Sequence, residues 1–228
     1  MKNSRSIISL TLIILGVICL GAWAKRWQTR NRRATALNDR LFNAAIRGQK
    51  DVVEKLLSEG ADINSRNSKG ETPLIYVAVE GYTDIALFLI SKGSDLNATD
   101  KSNETALSKA ALWNNTGTIE ALLEHRADIE NRPSGADPPL ITAALVGSVE
   151  AIQVLLSKGA NINAQGSEGW TALMLAAREG HIETVNALLG AKPDLSIKDH
   201  HGRTVLRWAS GGNHADIVEL LRQAGAKE

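Results

Sequence analysis

Residues 56–64 read LLSEGADIN, and the same phrase returns as LISKGSDLN at 89–97, LLEHRADIE at 122–130, LLSKGANIN at 155–163 and LLGAKPDLS at 188–196, with a truncated LLRQAGA at 220–226. The residue ahead of the small-acidic pair marks the step: Gly60, Gly93, Arg126, Gly159, Lys192 and Gly225 stand 33 residues apart. Two further markers keep the same step. One is Thr72, Thr105, Pro138, Thr171 and Thr204. The other is a small pair, Ala44-Ala45, Val77-Ala78, Ala110-Ala111, Ala143-Ala144, Ala176-Ala177 and Ala209-Ser210. Six copies in one register make this a repeat protein, in which each unit buries its apolar face only against its neighbours.

Each unit spells two short helices. Thr72, Thr171 and Thr204 are suited to N-cap a first helix, and Pro73 suits a first helical turn. The small pairs allow close approach of neighbouring helices. In the second helix Val53-Leu56-Leu57, Ile85-Leu89 and Ile152-Leu155-Leu156 recur at helical spacing and form one apolar stripe. Gly60, Gly93 and Gly159 then supply a left-handed terminating residue. The sixth copy turns polar where the others are apolar, with Arg207 in the place of Ile75 or Met174 and Arg222 in that of Leu57 or Leu189, as a terminal cap requires.

The segments ETPLIYVAVEGYTDIALFLISKGSDLN and GWTALMLAAREGHIETVNALLG closely resemble the ankyrin repeat, and the resemblance covers residues 37–228. It implies an all-α solenoid of β-turn and helix-turn-helix units over approximately 37–69, 70–102, 103–135, 136–168, 169–201 and 202–228. Two departures stand out. The histidine that the family places after its Pro-Leu pair is here Ile75, Ser108, Ile141, Met174 or Arg207, so its hydrogen-bond tie is missing and a less stable array is expected. The turn into the fourth unit, NRPSGADPPL at 131–140, has Ala136 for the turn glycine and Pro138 for the threonine cap, which marks it for altered curvature.

Ahead of the array, residues 1–6 are a short basic N-terminus, 7–24 (IISLTLIILGVICLGAWA) an uncharged apolar run and 25–36 a basic linker. The run is just long enough to cross a bilayer as a helix. A single-pass membrane anchor over 7–24, the one hydrophobic helix before the solenoid, is therefore expected. The cations of Lys25–Arg33 favour a cytoplasmic array. The alternative is a signal peptide cleaved after Ala24, giving a periplasmic or secreted protein.

Charge is divided. Residues 1–33 carry seven Lys or Arg and no acid, leaving 19 basic against 25 acidic side chains, a net of −6, for the rest. An acidic body argues against nucleic-acid binding. The single cysteine, Cys19, leaves the array without disulfides or thiolate metal sites. His181 and His214 sit at a structural position of the repeat, and His200-His201 lie in a turn. No phosphate loop, nucleophile elbow or zinc-protease motif occurs, so neither catalysis nor a cofactor or metal is expected.

What remains is binding. The resemblance implies that turn tips and first helices line a concave face, where only positions that differ between repeats can carry specificity. Leu112, Trp113, Leu145 and Val146 would form an apolar patch there, with Trp170 at its edge and Arg178-Glu179 beyond; Trp208 is expected in the core. The expected function is a membrane-tethered adaptor or scaffold, monomeric, holding an unidentified protein partner. The alternative is an exported inhibitor or immunity-type regulator of one enzyme or toxin.

Overall fold

The computed structural model describes residues 3–132 and 135–227, without the side chains of residues 3–22 and of Ala24. Its helices are α1 (Asn3–Ile46), α2 (Lys50–Ser58), α3 (Pro73–Glu80), α4 (Thr83–Ser91), α5 (Ala106–Leu112) and α6 (Thr116–Glu124), followed by α7 (Pro139–Val146), α8 (Val149–Ser157), α9 (Ala172–Glu179), α10 (Ile182–Gly190), α11 (Val205–Gly211) and α12 (Ala215–Gln223). They stack in two rows. The odd-numbered helices form an inner row in which each packs on the next, beginning with the last turns of α1; α4, α6, α8 and α10 form an outer row.

Local chemistry sets the helix boundaries. The Thr72, Thr105 and Thr171 hydroxyls accept from Ile75, Ser108 and Met174 N–H at 3.3, 3.1 and 3.3 Å, satisfying amides that an α-helix leaves open. Thr204 departs from expectation: it has the extended backbone of a cap but makes no cap bond, and its hydroxyl is buried without a partner. At α7 the cap position is Pro138, which has no side chain to offer, and the helix opens on its carbonyl, which accepts from Ile141 N–H at 2.9 Å. A regular α7 forms there nonetheless. Pro133 and Ser134 of the irregular turn lie outside the described residues, so the expected change of curvature is not addressed by them.

Packing follows the two apolar stripes. Ala45, Ala78, Ala110, Ala111, Ala143, Ala144, Ala176, Ala177 and Ala209 are each 0% exposed, so the inner helices approach with little more than backbone between them. Leu56, Leu89, Leu122, Leu155, Leu188 and Leu221, one in each even-numbered helix, are also 0% exposed.

Side-chain bonds to the backbone tie neighbouring turns together. Asn64, Asn97, Glu130 and Asn163 each accept, through the side-chain oxygen, the backbone N–H at the same point of the next unit: Asp95 (2.9 Å), Asp128 (3.1 Å), Asn161 (2.7 Å) and Asp194 (2.9 Å); within the first unit Asn38 accepts from Asp62 N–H at 2.9 Å. A second set fastens the far ends of the inner helices. Asn115 donates to the carbonyls of Ala78 and Val79, both at 2.9 Å, while the Nε2 atoms of His181 and His214 sit 3.1 and 3.0 Å from the carbonyls of Leu145 and Arg178. The two histidines thus have structural duties.

The N-terminal expectation needs correcting. Residues 7–24 do not stand apart as a membrane segment: they belong to α1, which continues past Ala24 and through the exposed cations of Lys25–Arg33 into the first unit. There Leu37, Leu41, Ala44 and Ala45 are buried in the core. Among the described residues no helix is long and apolar enough to cross a membrane. These findings overturn the expectation of membrane tethering through 7–24 by a single-pass anchor, and give no support to the signal peptide; the side chains of 7–22 and Ala24 lie outside the described residues.

Candidate protein-binding face

The inner helices end in residues that no neighbour covers. Trp113, the C-cap of α5, is 60% exposed, and Leu145 and Val146, the last two residues of α7, are 40% and 43% exposed. Leu112 beside them is half-buried. These four occupy equivalent places on adjacent, directly packed helices, so their apolar surface is continuous. Its position follows from the repeat: the Ala pair faces the neighbouring helix, and the two residues after it emerge at the end of the same turn.

Trp170, expected at the edge of this patch, packs against Trp208. It is half-buried, its Nε1 is sealed off without a partner, and its ring meets Trp208 edge to face at a centroid distance of 6.1 Å and an interplanar angle of 88°. Arg178 goes with it. Its guanidinium carbon lies 5.3 Å from the Trp208 ring centroid, and its Nε donates to Glu179 Oε1 at 2.6 Å. The seven residues singled out in the sequence therefore divide into an apolar group of four and a polar-aromatic group of three.

The second group is built around Trp208 and Asp199, a pairing the sequence reading missed. Trp208 is buried, as expected, and its Nε1 donates to Asp199 Oδ2 at 3.0 Å. The Arg203 guanidinium stacks over the same ring at 4.2 Å and donates through Nε to Asp199 Oδ2 at 2.6 Å. Asp199 Oδ1 accepts from the backbone N–H of His201 and Arg203 at 2.9 and 2.8 Å. Burial alone would raise this carboxyl's pKa. The bonds from Arg203, His201 and Trp208 outweigh it and hold the group below the usual carboxylate range. A signal for this unit existed: acidic residues begin the turns at Asp100 and Asp199, and each has a basic residue close downstream.

Asp100 shows the same device in the third unit, accepting from the backbone N–H of Ser102 and Glu104 at 2.8 and 3.0 Å. Lys109 lies between Asp100, at 3.2 Å, and Glu104. Burial opposes the charge on Lys109, but the bonds to Glu104 and Asp100 prevail and raise its pKa. Among the described residues no group of His, Cys, Asp or Glu is placed to hold a metal ion.

No curated protein matches the chain. The family model described as "Ankyrin repeats (3 copies)" matches residues 41–133 and again residues 140–228, most of the chain. Two rows of stacked helix pairs, the 33-residue step and this match lead to one conclusion: the chain belongs to the ankyrin-repeat family.

Proposed function

We propose that this protein binds a partner protein on the face lined by its inner helices, with Leu112, Trp113, Leu145 and Val146 as the centre of the contact and Trp170, Arg178 and Glu179 at its edge. The ankyrin array is a non-catalytic scaffold. The observation that carries the reading is the exposure of Trp113, 60%, beside Leu145 and Val146 on the next helix; Ile46, at the equivalent place in the first unit, is also exposed, at 42%. An exposed tryptophan in a continuous apolar patch is the kind of anchor on which binding energy concentrates. The patch is centred on two adjacent, directly packed helices, which fits one defined partner, as for an inhibitor or regulator.

Trp113→Ala tests this. Its ring is mostly in solvent, so the melting temperature should change by an amount equivalent to at most about 0.5 kcal/mol. Affinity for the captured partner should fall about tenfold or more. Clear loss of stability with unchanged affinity in the folded fraction would refute the reading.

A further inference from the structure

We propose that the inner face ends, in its last two units, in a carboxylate-binding site made by Arg178, Arg203 and Arg207 around Trp208, and that it takes an acidic segment of the partner protein. The inference rests on the reading of the inner face given above and adds the chemistry of what binds there. The three arginines line one concavity of about 510 Å³, whose remaining lining is Trp208, Ser210 and Gly211.

Two of the three guanidinium groups are held rather than free. Arg203 and Arg178 lie over the Trp208 ring at 4.2 and 5.3 Å, which fixes their planes and removes water from one side of each. Trp208 is in turn fixed by its bond to Asp199. Preset planar donors suit carboxylates, because two N–H groups meet two oxygens at little entropic cost.

The local acids cancel this charge only in part: Asp199 pairs with Arg203 and Glu179 with Arg178, which leaves the hollow one net cation, on Arg207. Asp199 has a fully buried side chain, and its oxygens are occupied by Trp208, Arg203 and two backbone N–H groups. Glu179 pairs with Arg178 alone. Among the described residues Arg207 makes no ion pair or hydrogen bond, although it is exposed and lines the same concavity. Its counterparts in the preceding units, Ile75, Ser108, Ile141 and Met174, are 1–3% exposed. A terminal unit needs only some polar side chain at that place. It does not need two more arginines brought to the same hollow, in an array whose net charge is −6.

The contrast with the other end gives the face a direction. Around the second and third units it carries Glu80 and Glu104, the latter with Lys109 and Asp100. At the centre it is apolar, and at the last two units it is cationic. Neighbouring units are about 10 Å apart. A segment that sets an apolar residue on Val146 therefore brings a carboxylate to Arg178 about three extended residues later.

The test uses the full chain and fluorescein-labelled peptides of roughly 14 residues, followed by anisotropy. The first has Leu and Trp at one end and a run of Glu at the other; a second has Gln, and a third Lys, in place of Glu. The acidic peptide should bind, and R207E and R178E should each weaken it about tenfold. Weakening should fade as salt rises from about 0.05 to 0.5 M, and the Gln and Lys peptides should bind far less. Equal binding of the Gln peptide, or unchanged affinity in both charge-reversed variants, would overturn the carboxylate site. So would inorganic phosphate that competes as well as the acidic peptide, since the hollow would then be an anion site without preference for a protein segment. If W113A weakens the acidic peptide and the arginine variants do not, the inner-face reading stands and this inference alone falls. If W113A also changes nothing, the inner-face reading falls with it.

Discussion

Arg126 and Lys192 have backbone φ of 69° and 54°, the left-handed region, at points where the other units have Gly60 (96°), Gly93 (87°), Gly159 (93°) and Gly225 (94°). The geometry belongs to the fold: at this residue the outer helix ends and the chain turns into the next unit. For a residue with a Cβ the left-handed conformation costs roughly 1–2 kcal/mol. Glycine has its own entropic cost on ordering, of about 0.5–1 kcal/mol. The net gain for Arg126→Gly or Lys192→Gly is then about 0.5–1 kcal/mol each. The two sites lie in units that do not touch, so their effects should add. For a chain of this size the double variant should melt about 2–8 °C higher. Thermal unfolding followed by circular dichroism measures this directly. The reverse change serves as a control: a Cβ at Gly60 would meet nothing within 4 Å, so Gly60→Arg should lower stability by conformational cost alone. Gly180→Ala should be worse, because φ is 82° there and the new Cβ would lie 2.4 Å from His214 Cε1. An unchanged or lower melting temperature for the double glycine variant would refute the reasoning.

Two further outcomes follow from the bonding described above. Asp199→Asn should destabilise the last unit by about 2 kcal/mol, since Arg203 and Trp208 lose a charged acceptor, and chemical denaturation would register the change. Because the folded pKa of Asp199 is depressed, its contribution is present above the ordinary carboxylate value and disappears as pH falls through the folded one; acid titration of the variant should show a shallower loss of stability below about pH 4. Thr171→Ala should cost about 1 kcal/mol by removing a helix cap, whereas Thr204→Ala should cost less, because the Thr204 hydroxyl accepts no cap bond. Equal losses at the two threonines in parallel urea titrations would contradict the difference in their bonding.

Most of the fold was legible because a repeat states its rules several times. The Ala pairs, the terminal glycines and the leucine stripes each recur, and one reading of any unit transfers to the rest. The inner-face patch was legible for a related reason: Trp113 and Val146 stand out only against what other units hold at that place. The Trp208 cluster was not visible in the same way. Its partners come from three stretches, Trp170 in one turn, Arg178 at a helix end and Asp199 in the next turn, and only packing shows that they meet. The inter-unit bonds were equally hidden, since Asn64 and Asp95 read as turn residues until the neighbouring turns lie side by side. The N-terminal expectation weighed residues 7–24 as an isolated run. In the structure that run is one part of α1, whose other end belongs to the core of the first unit.

The rungs from Asn64, Asn97, Glu130 and Asn163 bear on how the protein would respond to load. Each rung joins one unit only to the next, beside helix packing and the bonds of Asn115, His181 and His214. The units are therefore elements in series under one tension, and the first to give way should be an end unit, which has a neighbour on one side only. Each failure would release one 33-residue unit, about 110 Å of extended chain, and leave the following unit as the new end. The array would thus lengthen in near-equal steps, surrendering its inner face from one end while the units beyond the break keep their shape.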